Sequence, residues 1–183
     1  AEQHIDACVP VTGLKVLSVK NARLILQAQG NYSCLIDEET GRLLAKLRTF
    51  KGYNVHGFLV LSETSDEAVQ NVQVIAWGEY SLRLIDLHYA NNNPNGPLEV
   101  SLTAASAEYL ASDWMLAGCT DESGSAYLVT GHNALLSLCV VDGNFSKYRK
   151  AIYLRQLVTG VKSALYSADV ISLSASHVLI AAG

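Results

Sequence analysis

Apolar residues along this chain gather in short runs, rich in Leu and β-branched side chains, and Gly, Asn, Asp or Ser interrupts them every 8 to 12 residues. A helix would place its apolar residues at steps of three and four; these runs alternate or continue as strands do. One phrase recurs. From Leu24 the chain reads LILQAQGNYSCLID, from Val74 VIAWGEYSLRLIDL, from Tyr127 YLVTGHNALLSL, and it ends on VLIAAG. The glycines that close these runs, Gly30, Gly78, Gly131 and Gly183, lie 48, 53 and 52 residues apart. A period of about 40 to 50 residues is the size of a four-stranded propeller blade.

Within the first period the pattern predicts strands over 13–19, 22–29, 32–38 and 42–50, with a turn at Glu39-Thr40-Gly41. The second predicts 55–63, 72–78, 81–87 and 98–105, and the third 114–120, 126–131, 134–141 and 151–158. Two more, 163–175 and 177–183, begin a fourth unit. The expected fold is therefore all-β, an incomplete β-propeller of about three four-stranded antiparallel blades plus the first strands of a fourth. The blades are expected at about 11–51, 53–106 and 112–159, with the partial one at 163–183. A propeller must close on itself, so the chain reads as a fragment, an incomplete gene model or one piece of a larger protein. Leu165, Val170, Ile171, Val178 and Ile180 are then expected to lack cover.

The second strands are the most continuously apolar, as suits strands buried on both faces. Charge gathers on the fourth strands, with Arg42, Lys46, Arg48 and Lys51 in the first period and Lys147, Arg149, Lys150 and Arg155 in or before that of the third. Basic residues on an outer strand guard against edge pairing; the other reading of these clusters is contact with RNA.

The 183 residues, half of them apolar, suffice for a real core. A formal charge of −4 argues against a surface that captures nucleic acid unaided. No apolar run approaches the roughly 20 residues of a membrane-spanning helix, and AEQHIDACVP lacks the features of a signal peptide, so the expectation is a cytoplasmic protein without membrane contact. The cysteines, Cys8, Cys34, Cys119 and Cys139, form no close pair of the kind that binds zinc, and no metal is expected. Cys34 and Cys139 sit in apolar runs and read as core. The sequons at Asn31 and Asn144 read as turns. Neither a GxSxG elbow, a phosphate loop, GxGxxG nor HExxH occurs, so no catalytic residue, cofactor or small-molecule substrate is expected.

The succession VTGLKVL, LILQAQGNYSCLIDEETGRLL, NVHGF, SDWMLAG, LVTGHNALLSL, SALYSADV and VLIAAG resembles the N-terminal part of the WD-repeat family that includes WD-repeat-containing protein six and its fungal relatives. The likeness runs over residues 11 to 183. Its most specific pieces are Val55-His56-Gly57-Phe58, Ser112-Asp113-Trp114 and Gly131-His132-Asn133-Ala134-Leu135. It departs from an ordinary WD repeat at Ile36-Asp37 and Ile85-Asp86, where Trp-Asp would end the third strands. The resemblance implies a large propeller serving as the non-catalytic subunit of a tRNA 2'-O-methyltransferase and presenting the wobble nucleotide of the anticodon loop to the catalytic subunit. Its partners would be that catalytic subunit and, through the complex, tRNA.

Loops on a rigid scaffold are where propellers place their contacts, which nominates His56, Asp113, Trp114, His132 and Asn133 as partner-binding residues. Each also has a structural reading. His56 and His132, beside Gly at strand entrances, can bond the neighbouring backbone, Asp113 can cap a turn, Trp114 can pack between blades, and Asn133 suits a tight turn. The alternatives to the methylation adaptor are a generic WD-repeat scaffold in another complex, in trafficking or ubiquitin transfer, and, ranked last, a β-propeller or sandwich enzyme.

Overall fold

The computed structural model describes residues 9–19, 22–65, 69–90, 99–111, 113–123, 125–131, 134–141, 144–153, 166–174 and 177–182. Every regular element among them is a strand. Four consecutive strands, β1 (Val11–Val19), β2 (Ala22–Gln29), β3 (Tyr32–Asp37) and β4 (Leu43–Arg48), form the first antiparallel sheet in chain order. The second holds β5 (Val55–Ser65), β6 (Val69–Gly78), β7 (Ser81–Ala90) and β8 (Glu99–Ala104), with the two-residue β9 (Tyr109–Leu110) also on β7. The third holds β10 (Met115–Thr120), β11 (Ala126–Thr130), β12 (Ala134–Val141) and β13 (Asn144–Tyr153). A hairpin of β14 (Ala168–Ser174) and β15 (His177–Ala182) follows. The expectation of four-stranded antiparallel sheets followed by a partial one is met.

The chain divides into two compact units, residues 1–109 and 110–183. In the first, Leu17, Val19, Leu24, Leu26 and Leu35 of one sheet share a core with Phe58, Val72, Val74, Ala76, Ile85 and Leu87 of the next. Burial of each such side chain contributes about 1.5–3 kcal/mol before the entropy of ordering is counted. The two sheets meet through their first strands. A Cβ on Gly13 would lie 2.2 Å from the carbonyl oxygen of His56, so only a glycine lets β1 come so close to β5. The Thr12 hydroxyl, next to it, donates to the Val55 carbonyl.

The connection between these sheets is tied down by polar contacts. Thr49 and Ser33, both fully buried, bond through their hydroxyls at 2.6 Å. Arg83 on β7 donates to the Thr49 carbonyl at 2.9 Å and to that of Ser106 at 3.0 Å. The Glu108 carboxylate accepts from the Lys51 amide at 3.1 Å and from the Ser81 hydroxyl at 2.9 Å. At the β3–β4 turn, Gly41 adopts a φ of 68° and the Thr40 amide donates to Asp37, so the Asp of the Ile36-Asp37 ending serves as a turn cap. That backbone bond leads the causes holding the Asp37 carboxyl below its ordinary value. Lys46, from the basic run of β4, places its ammonium 4.5 Å from the centre of the Tyr32 ring.

In the second unit, Val170 is buried, and with Val178 and Ile180 it packs against Ala117 and Val129 of the third sheet. This corrects the expected exposed set. Alternation along β14 and β15 sends Val170, Val178 and Ile180 to the covered face, while Ile171, Leu173 and Leu179 are 48%, 62% and 55% exposed. Leu165 lies outside the described residues. The fourth strand of the third sheet also starts earlier than its apolar run indicates, because Val141 pairs directly with Asn144. Cys34 is buried as expected of a core residue.

Replacing Gly13 by Ala forces β1 off the His56 carbonyl. The expected cost is about 1–3 kcal/mol of stability in the first unit, the scale of overpacking, read as a lowered urea midpoint, whereas Gly41→Ala meets no neighbouring atom and loses stability only through its positive φ.

Candidate functional site

Each of the three four-stranded sheets carries an irregularity near the start of its first strand. In β5, Val55 pairs with Gly78 and Gly57 with Trp77, so His56 is the extra residue of a bulge. Thr12 in β1 and Leu116 in β10 occupy the same place, between Val11/Gly13 and between Met115/Ala117. A bulge releases one side chain from the alternating pattern and re-aims it.

The imidazole of His56 thereby reaches the edge of the Trp77 ring, with centroids 6.2 Å apart and planes at 74°. Its Nε2 lies 3.9 Å from Glu79 Oε1, an ion pair when the histidine is protonated. Trp77 is buried over Gly57, where any Cβ would stand 2.6 Å from the indole. Beside the same strand ends, the rings of Tyr53 and Tyr80 meet at 5.6 Å and 54°. Tyr53, His56, Glu79 and Tyr80 are all half-buried, and of them it is His56 that meets the Trp77 indole. Aromatic groups with a polar tip, held in place, are what protein interfaces use as anchors. Of this group, reading the sequence finds only His56. The signal for the rest was the V-x-G triplet at 11–13 and 55–57 and the Trp-Gly pair at 77–78.

Asp113 and Trp114 belong to the second unit. Asp113 Oδ1 accepts from the Trp114 amide at 2.8 Å, and the Trp114 indole lies over Gly131, where a Cβ would stand 1.9 Å from it. The Gly131 amide donates to the Trp114 carbonyl at 3.0 Å, closing the strand pair. His132 and Asn133 lie outside the described residues.

At the β10–β11 turn Asp121 gathers four donors. Its Oδ1 accepts from the Ser123 amide at 2.9 Å, the Ser123 hydroxyl at 2.6 Å and the Ser125 amide at 2.9 Å, and its Oδ2 from the Tyr127 hydroxyl at 3.0 Å. Desolvation opposes its ionisation, yet the hydrogen bonds together hold the carboxyl below its ordinary value. The Tyr127 phenol is pushed up, first by burial and then by its bond to Asp121. Burial likewise raises the thiols of Cys34 and Cys119; Lys46 opposes the shift at the first, and the charges of Asp121 and Asp169 add to it at the second. Both thiols are therefore poor nucleophiles at neutral pH. Among the described residues, no three His, Cys, Asp or Glu side chains are grouped to hold a metal ion, and no helix is long and apolar enough to cross a membrane.

No protein-family model matches the chain, and no curated protein matches it. Solved structures do. The WD40 repeats of RRP9 align over 98% of this chain and 47% of theirs, with a TM-score of 0.55 and 13% identity. U3-55K aligns over the same shares, with a TM-score of 0.55 and 12% identity. The β-propeller domain of Cps50 (Swd1) from Myceliophteria thermophila aligns over 90% of this chain and 45% of its own, with a TM-score of 0.52 and 11% identity. The chain has the fold of part of a WD40 propeller. It spans about half the length of the solved chains it matches, and its three four-stranded sheets are blades.

The electrostatics of Asp121 give a pH dependence. A carboxylate whose value is depressed on folding contributes stability above its ordinary value of 3.8, and loses it as the pH falls through the folded value. The expected outcome is that Asp121→Asn costs about 1–3 kcal/mol at pH 7, the scale of hydrogen bonds to a charged group. Urea midpoints measured from pH 7 downward should then converge with those of the parent chain as the pH drops below that value.

Proposed function

We propose that this chain is part of a non-catalytic WD-repeat adaptor that supports 2'-O-methylation of the tRNA wobble nucleotide by a partner methyltransferase in the cytoplasm. The observation that carries this reading is the order of Val55-His56-Gly57-Phe58, Ser112-Asp113-Trp114 and Gly131-His132-Asn133-Ala134-Leu135 along a chain with a WD40 fold. In this reading the blades span about 11–51, 53–106 and 112–159, with a partial one at 163–183, and serve as an interaction scaffold. The methyl transfer belongs to the catalytic partner. With a net charge of −4, the chain neutralises few phosphates, so tRNA joins through the complex and its binding weakens steeply with salt.

Contacting residues are assigned in each unit separately: the group around His56, with Tyr53, Glu79 and Tyr80, in the first, and Asp113, Trp114, His132 and Asn133 in the second. The His56 imidazole against Trp77 and the paired rings of Tyr53 and Tyr80 suit docking onto a protein partner, because side chains already held by a neighbour have less entropy to lose.

The test is to delete the gene and measure ribose methylation at the wobble position of cellular tRNA. Loss of that methylation, with rescue by the full-length protein, is the expected outcome; unchanged methylation overturns the assignment. Rescue with His132→Ala/Asn133→Ala, and separately with His56→Ala/Tyr80→Ala, asks which loops matter, provided the variants reach normal level. A pull-down that recovers a trafficking or ubiquitin-transfer complex, without methyltransferase or tRNA, would assign the scaffold to that complex.

A further inference from the structure

One end of the second blade gathers aromatic rings beside a carboxylate. Tyr53 precedes β5, His56 fills its bulge, and Trp77, Glu79 and Tyr80 lie where β6 turns into β7. Two ring pairs meet there, Tyr53 with Tyr80 and His56 with Trp77. Glu79 adjoins both, next to Tyr80 in the chain and across from His56 in space. Trp77 is buried, while the other four keep part of their surface. All belong to the first unit. Neighbouring blades of a propeller pack on a blade's two faces, so the packing of further blades does not itself cover a group at the strand ends.

The Glu79 carboxylate is short of a cation. Its contact with His56 Nε2 is 3.9 Å, longer than a hydrogen bond, and among the described residues no lysine or arginine pairs with it. The arginines of the adjoining connection are committed to backbone, Arg48 donating to the Lys51 carbonyl at 2.9 Å and Arg83 to those of Thr49 and Ser106. Glu108, another acid at this end, is held by the Lys51 amide and the Ser81 hydroxyl. Ring faces attract a cation, and a carboxylate beside them adds a charge-assisted hydrogen bond. A guanidinium meets both at once, because it is planar, stacks on rings and donates in a fork that fits a carboxylate, whereas an ammonium is a strongly hydrated point charge. Taking the chain as an interaction scaffold, whichever complex it serves, we propose that this group receives one exposed arginine side chain of a partner protein, the guanidinium stacking on the Tyr53 and Tyr80 rings and donating to Glu79.

The test is a titration of the isotopically labelled chain followed by nuclear magnetic resonance, at constant ionic strength and about pH 7.5, above the range in which an imidazole ordinarily charges. The probes are acetylated and amidated tripeptides with arginine, lysine, glutamate or leucine between two glycines. The arginine probe is expected to shift the signals of Tyr53, His56, Glu79, Tyr80 and the Trp77 indole, with a Kd of about 1–10 mM, as suits a single side chain. Glu79→Gln weakens binding about threefold or more, and Tyr80→Ala about two- to fivefold. Tyr80→Phe, which keeps the ring, and Glu122→Gln, at an exposed acid of the second unit, bind as the parent chain does. Circular dichroism and urea midpoints check that each variant is folded. Absence of shifts at these residues up to about 50 mM probe overturns the proposal. So does a lysine, glutamate or leucine probe that binds as tightly as the arginine one, or a folded Glu79→Gln chain that binds unchanged. None of these readings involves tRNA methylation, so their failure leaves the adaptor role standing, and loss of that role leaves them intact.

Discussion

The contact between Gly13 and the His56 carbonyl sets the distance on which the first unit depends. A propeller blade has two faces and both must leave water, so adjacent blades are pressed together at their first strands until backbone meets backbone. The missing Cβ allows that approach, and the Thr12 hydroxyl bonding to the Val55 carbonyl fixes its register. With those strands in place, Leu17 and Val19 fall opposite Phe58, and the core from Leu24 to Leu87 closes around them. A side chain at Gly13 would separate the blades and expose to water the apolar area whose burial drives their association.

Packing alone would leave the segment between the two blades loose, since it carries backbone groups with no strand to pair with. Arg83 and Glu108 supply the partners. One guanidinium satisfies the carbonyls of Thr49 and Ser106, and one carboxylate satisfies the Lys51 amide and the Ser81 hydroxyl. Buried polar groups cost more when unmet than they return when met, and here Ser33 and Thr49, with no exposure, meet each other. These bonds anchor the segment that leads into β5 at Thr49 and Lys51.

The strands were largely legible because the inner ones carry nearly continuous apolar runs; β2, β3, β6 and β11 lie within a few residues of where LILQA, YSCLID, VIAWG and YLVT place them, although burial on both faces does not hold in β15, where Leu179 is 55% exposed. Legibility fails where burial stops dictating composition. β13 starts at Asn144 and carries Phe145, Lys147 and Arg149; an outermost strand needs no apolar run, so the run at 151–158 drew attention instead. On the last hairpin, the overall hydrophobicity was plain but not which alternate residues faced the third blade, since both sides of β14 and β15 carry Val, Ile or Leu. At the candidate site, His56 stood out as a residue type, while its partners Trp77 and Glu79 lie more than twenty residues away and meet it only through the β5–β6 register. That register depends on a bulge, a backbone irregularity with no side-chain signature beyond the glycine that follows it.

The bulge also explains how one repeated frame can carry unlike chemistry. In β1, β5 and β10 the residues on either side of it are fixed by pairing with the second strand, and packing constrains them in every blade. The residue between is freed from that pairing, so its identity can change without disturbing the sheet. In the first blade it is Thr12, whose hydroxyl joins the blade to its neighbour. In the third it is Leu116, which packs with the core shared with the hairpin. In the second it is His56, whose imidazole is spent on neither task. It is half exposed, braced by Trp77 and within reach of Glu79, so among these three equivalent positions it is the one that carries an imidazole where the others carry a hydroxyl or an alkyl group.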